Sequence, residues 1–228
     1  MVNFLEDLCR AGVEWYAAVI AAVLAYFLGN INPAIIIGRA KGIDIRAQGS
    51  GNAGATNAMR SIGKKAGALT FVIDVAKGFA GFAIPLAVFH EIPVALLCGL
   101  CVVLGHMYPA VYGFRGGKGV STTFGVLLGV SALYALVLLA IVIVFTAIFR
   151  RVSLSVMIAA AAAIILIFWG GYHQQLSSYK VGFMEFNNYL PLWIIIIMAL
   201  VVWKHRGNIG RLVKGQEPKL SFKGKGKE

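Results

Sequence analysis

Charge is scarce in this chain. Only 13% of its 228 residues are Asp, Glu, Lys or Arg, about half the share in an average soluble domain. So few charges cannot cover a water-exposed surface of this size. Acidic residues are rarer still, with 9 Asp and Glu against 21 Lys and Arg. No cluster of acids and histidines has metal-ligand spacing, so the sequence offers no metal site. Three cysteines do not make a disulfide framework, and the C-x-x-C of Cys98 and Cys101 lies inside an apolar run, where packing is its expected role. A basic leader with a small-residue cleavage site is missing as well, so the first apolar run is expected to stay as a permanent span.

Several signatures of chemistry are also absent. There is no G-x-S-x-G elbow, no H-x-x-x-x-D box of acyl-CoA acyltransferases and no D-G-x-x-A-R signature of alcohol phosphotransferases. The glycines around Lys118 do not fit a Walker A motif, because Gly119 follows the lysine. Nucleotide hydrolysis and a serine nucleophile therefore have no support, and the net charge of +12 is not read as a nucleic-acid footprint.

Long apolar runs are what the chain has. They cover 15–37, 66–89, 92–111, 120–149, 152–170 and 190–203. A straight span needs about 20 residues. The fourth run is too long for one span and carries Gly125, Gly129 and Ser131, so it is expected to hold two shorter helices. Basic residues collect on the cytoplasmic side of membrane proteins. Residues 38–65, 112–119, the Arg150–Arg151 pair and the segment from Lys204 onward are all basic, whereas the N-terminal segment with Glu6 and Asp7 is acidic. Splitting the fourth run puts every basic segment on one face. The expected fold is an all-α integral membrane bundle of about seven transmembrane helices, N-terminus outside and C-terminus cytoplasmic. Residues 1–212 would form one transmembrane domain and 213–228 a basic tail. Trp169, Tyr172, Tyr179, Phe183, Tyr189 and Trp193 would form an aromatic belt at the outer interface.

Three polar, glycine-rich segments then share the inner face. Residues 49–60 read GSGNAGATNAMR; glycines let backbone amides turn inward around an anion, and a helix starting near Ala53 would put Thr56 and Arg60 on one face. Residues 105–123 read GHMYPAVYGFRGGKGVSTT, a lysine among glycines with hydroxyls after it, which suits a phosphate. Residues 205–212 read HRGNIGRL, where His205 and Asn208 are candidate anion ligands. Within the second span, Asp74 and Lys77 are three apart, either a functional pair or one that holds helices together. Ser153 follows the arginine pair and is a further candidate ligand.

At these residues the sequence resembles the bacterial acyl-phosphate:glycerol-3-phosphate acyltransferases, integral membrane enzymes of phospholipid synthesis. The resemblance runs from about Gly29 to Leu212 and includes FVIDVAKG at 71–78. Asn30 and Asn32 stand in the Gly29–Pro33 turn where the family often has Ser-Ile-Pro, and Ser121 replaces a common alanine. The resemblance implies a cytoplasmic-facing site in the bacterial inner membrane that moves a fatty acyl group from acyl phosphate to the 1-hydroxyl of glycerol 3-phosphate, giving lysophosphatidic acid without a cofactor. Lys118, Arg60, Asn52 and His205 would carry catalysis. Ser50, Gly51, Asn52, Thr56, Gly116 and Gly117 would hold the acyl phosphate. Arg60, Lys118, His205 and Asn208 would hold glycerol 3-phosphate, with Ser153 beside them. Without a nucleophile–base–orienter triad, direct attack is expected, with the donor phosphate taking the proton; His106 and Asp74 are the competing bases. The rival reading is a transporter or channel for an organic phosphate.

Overall fold

The computed structural model describes residues 14–177 and 189–220, and every helix or turn among them is helical in type. Glu6, Asp7, Arg10, Tyr179, Phe183 and the lysines after residue 220 lie outside the described residues, as do the side chains of Tyr172 and Tyr189. Five of the helical segments are long and apolar enough to cross a membrane, or six if one bent pair counts as a span. The chain is therefore an all-α, multi-pass membrane protein. Its residues cluster into two compact units, 1–132 and 133–228, each taken by itself below.

In the first unit the run expected at 15–37 is broken. Helix α1 (Trp15–Asn30) stops, and α2 (Pro33–Ala40) starts three residues later. Pro33 has no amide proton to give and keeps Asn32 extended, so the helix cannot run through. It suits the first turn of a new helix instead, where Asn32 Oδ1 accepts from the Ile35 amide at 3.0 Å. Helix α3 (Ala55–Ser61) follows, then α4 (Lys64–Phe89), α5 (Ile92–Met107) and α6 (Val120–Val130). The long fourth run is divided by a break, with Ser131 extended after α6. The break leaves α6 only 11 residues long.

Two pairs of helices in this unit touch backbone to backbone. A methyl group at Gly29 would overlap the Val102 carbonyl, and one at Gly105 the Tyr26 carbonyl, so α1 and α5 cross at bare glycines. Gly78 and Gly125 do the same for α4 and α6, against the carbonyls of Thr122 and Val75. Lipid tails are as apolar as leucine, so helices in a bilayer gain by close packing rather than by leaving water. The glycines make that approach possible.

The second unit contains α7 (Ala132–Phe149), α8 (Val152–Ser177), α9 (Tyr189–Lys204) and α10 (Arg206–Val213). Val156, Ala159, Ala160, Ala163 and Ile167 make one buried stripe on α8. Leu190, Trp193, Ile194, Ile197, Met198 and Val201 make the matching stripe on α9 at three- and four-residue steps. Trp193 is 6% exposed and packs inside instead of joining an outer belt, while Trp169 is exposed as expected. Tyr134 Oη on α7 donates to the Ala163 carbonyl at 2.5 Å.

Candidate active site

The first glycine-rich segment is tied from within by a residue the sequence had not singled out. Asn57 is buried on α3; its Oδ1 accepts from the Ser50 amide at 2.9 Å, and its Nδ2 donates to the carbonyls of Ile45 (3.0 Å) and Gln48 (2.9 Å). One side chain thus closes the turn that carries Gly49 and Gly51, both with positive φ. Ser50 and Gly51 are exposed on this turn, and Asn52 and Thr56 are half-buried. Helix α3 begins at Ala55, after Gly54, and is seven residues long. Thr56 and Arg60 both lie on it four residues apart, with Arg60 exposed. Ala34, Ile35, Ile45, Ala53 and Ala58 pack beneath as a small apolar core, with Ile62 and Tyr112 against it.

The second segment meets the first at Gly117. A methyl group on Gly117 would stand 2.9 Å from the Ala53 carbonyl oxygen and would overlap His106 Nε2. Gly116 is just as confined, against the His106 carbonyl and Pro109. The Gly117 amide donates to the His106 carbonyl at 3.1 Å. Next comes Lys118, half-buried, and then Gly119, whose φ of +79° begins α6. The Thr122 and Thr123 hydroxyls, at the start of α6, are buried without a hydrogen-bond partner. The loop between α5 and α6 is held by Tyr26, whose Oη donates to the Tyr108 carbonyl (2.7 Å) and accepts from the Ala110 amide (3.1 Å). Asn30 Oδ1 accepts from the Val111 amide at 3.3 Å. Two basic residues of 38–65 serve this frame: Arg39 lies over the Tyr112 ring, and Arg46 pairs with Asp44 at 3.1 Å.

Behind Gly117 is a buried charged cluster. Lys77 Nζ lies 2.7 Å from Asp74 Oδ1 and 2.9 Å from His106 Nδ1, and it donates to the carbonyls of Gly29 (3.2 Å) and Ile31 (2.5 Å). Asp74 Oδ1 is 3.3 Å from His106 Nδ1. The carboxylate is 1% exposed, the lysine 4% and the histidine 2%. Neither competing base is therefore open to solvent.

In the second unit, a carboxylate of the chain itself occupies two of the three expected anion ligands. Ser153 Oγ donates to Glu217 Oε1 at 2.6 Å and Asn208 Nδ2 to the same oxygen at 2.5 Å, while Arg211 Nε donates to Oε2 at 2.8 Å. The Arg150 carbonyl accepts from the Leu220 amide at 2.6 Å, so the tail begins docked to the unit. His205 is buried where α9 gives way to α10, a bend of 57°, and its Nδ1 donates to the Val201 carbonyl at 2.7 Å. Glu217 escaped the sequence reading; its signal was a single acid among the bases of residues 204–220.

Burial alone would push the Glu217 carboxyl up, but the donors from Ser153, Asn208 and Arg211, with the Arg211 charge, outweigh it and hold the carboxyl below the ordinary 4.5. A depressed carboxyl stabilises the fold above its unfolded value, and that contribution disappears as pH falls through its folded value. Wild-type protein in detergent will therefore lose thermal stability below about pH 4.5 more steeply than Glu217→Gln, which has no such proton to take up. At pH 7, Glu217→Gln will cost about 1–3 kcal/mol, the usual scale for hydrogen bonds to a charged group. Equal slopes against pH in a thermal unfolding series would refute this account of Glu217.

Comparison with known proteins places these features in a family. A family model described as glycerol-3-phosphate acyltransferase matches residues 19–215. The glycerol-3-phosphate acyltransferase of Clostridioides difficile is 39% identical over 92% of this chain and 99% of its own length. That of Aquifex aeolicus is 40% identical over 88% and 97%. A crystal structure of PlsY, an integral membrane glycerol 3-phosphate acyltransferase in its glycerol 3-phosphate form, superposes with a TM-score of 0.80 at 37% identity, covering 90% of this chain and 96% of that one. Its lysophosphatidic acid form gives 0.77. With both glycine-rich segments, the buried cluster and HRGNIGRL all inside the matched span, the chain belongs to the glycerol-3-phosphate acyltransferase family.

Proposed function

We propose that this acyltransferase takes its acyl group from acyl phosphate and delivers it to the 1-hydroxyl of glycerol 3-phosphate at the cytoplasmic face of the bacterial inner membrane. The observation that supports this most is the meeting of the two glycine-rich segments at Ala53 and Gly117, next to Lys118 and the buried hydroxyls of Thr122 and Thr123. Both substrates carry a phosphate. Two such anions held close in a site of low dielectric repel strongly unless cations and amides compensate them. Lys118 and Arg60 supply positive charge from this region, and Ser50, Gly51, Asn52, Thr56, Gly116 and Gly117 supply polar ligands. The assignment of Ser153, His205 and Asn208 to glycerol 3-phosphate rests on the motif resemblance alone.

The chemistry is direct. The glycerol oxygen attacks the acyl carbon, the bond from that carbon to the phosphate oxygen breaks, and the departing phosphate carries off the hydroxyl proton. The products are lysophosphatidic acid and inorganic phosphate. An acyl phosphate is already activated, so positioning and charge stabilisation suffice. The burial of Asp74 and His106 and their contacts with Lys77 favour the donor phosphate as base over either side chain.

The five long helices, the bent pair and the short α6 provide the segments for a seven-span topology, N-terminus outside and C-terminus inside. Residues 1–212 would then be the catalytic membrane domain, followed by a basic tail. The purified enzyme in detergent, given acyl phosphate and glycerol 3-phosphate, is expected to release lysophosphatidic acid and one equivalent of phosphate. Product formed from acyl-CoA but not from acyl phosphate would overturn the choice of donor, and a stable acyl-enzyme would overturn direct attack.

A further inference from the structure

We infer that Asp74, Lys77 and His106 are positioning residues of the active site, which hold the Gly116–Gly117 loop and the α1–α2 break in one register. The inference deepens the reading that the loop before Lys118 binds a substrate phosphate. A charge pair that only joined helices would need an acid and a base. Lys77 does more. Its ammonium has three protons and lies within reach of four groups: Asp74, His106 and the carbonyls of Gly29 and Ile31. Those two carbonyls flank the break where α1 stops, and they have lost their helical partners. Such groups are costly at membrane depth unless something satisfies them. The lysine therefore stands as a tethered cation at the unwound turn.

From that turn the linkage runs two ways to the same place. Asn32, at the far side of the break, donates from Nδ2 to the Ala53 carbonyl at 3.2 Å, and Gly117 lies against that same carbonyl. His106, held at Nδ1 by the cluster, also lays its Nε2 edge against Gly117. Gly117 is thus confined by an oxygen whose place depends on the break and a ring whose place depends on Lys77. Lys118 is the next residue. Interiors this tightly packed pass displacements on rather than absorb them.

The test is a charge-neutral double variant, Asp74→Asn with Lys77→Met, which leaves no unpaired charge buried. Purified in detergent, it is compared with wild type for thermal unfolding and for the KM of acyl phosphate and of glycerol 3-phosphate separately. Displacement of the loop is expected to raise at least one KM by about tenfold or more. A cluster that merely stabilises the fold would lower the melting temperature and the active fraction but leave both KM values alone. Both values within about twofold of wild type would overturn the inference. If the double variant does not purify as a single species, His106→Asn is read by the same criterion; it keeps an acceptor for Lys77 and removes the edge lying on Gly117. Wild-type enzyme that fails to turn over acyl phosphate defeats the functional reading instead. The variants are then compared by the Kd of glycerol 3-phosphate on the same protein, with the same limits.

Discussion

Lys118→Ala is expected to lower kcat/KM by at least about 10³-fold while the protein remains folded. Removing one preorganised donor from a site of developing charge typically costs about 10²–10³ in rate. On the proposed reading Lys118 has a second task, to offset repulsion between two bound phosphates, so the upper end of that range is the floor here. Each tenfold loss corresponds to about 1.4 kcal/mol of transition-state stabilisation. The side chain is half-buried at the end of a loop and lies on no helix interior, so its loss should leave the melting temperature within a few degrees. Steady-state rates and thermal unfolding on the same preparation check both halves. An unchanged kcat/KM would remove Lys118 from the site.

Gly117→Ala should be nearly as damaging, for a different reason. The added methyl would overlap His106 Nε2 and stand 2.9 Å from the Ala53 oxygen. Ordinary contact needs more room than that, and neither neighbour is the loose end of a flexible side chain. The loop must move instead. A shift of about 1 Å in a positioning group can cost about 10² in rate, and the expected fall in kcat/KM is of that order. Gly63→Ala is the contrast for available space, because nothing lies within 4 Å of a methyl group there, although its positive φ makes the change locally strained. If Gly117→Ala retains full activity, the loop tolerates displacement and the close fit around it has no catalytic meaning.

The parts of the site that were legible in the sequence are those whose signal is local. Glycine spacing around Lys118 and Ser50 showed in the chain itself, since turns need residues that accept positive φ wherever they occur. The break before Pro33 was not read from the sequence, because the apolar run across it looked continuous and only the proline marked where the helix must stop. What stayed hidden depended on partners far apart in the chain. Asn57 looked like one polar residue in a glycine-rich stretch, yet it ties down the whole turn. Ser153 and Asn208 looked like ligands for a substrate, and the structure shows them bound to Glu217. A hydrogen-bonding side chain advertises its capacity but not its occupant.

The sequence by itself determined that this chain lives in a membrane, because apolar runs of bilayer length and so few charges leave no other solvent for it. It also determined the family, through motifs whose glycines and cations must stand in fixed order. Only the tertiary structure decided which polar residues serve the protein's own framework. Asp74 and Lys77 on α4 meet His106 on α5, and Gly117 settles against a carbonyl more than 60 positions away. Those contacts follow from how helices cross at bare glycines, and the crossing is a property of packed surfaces that no local pattern contains.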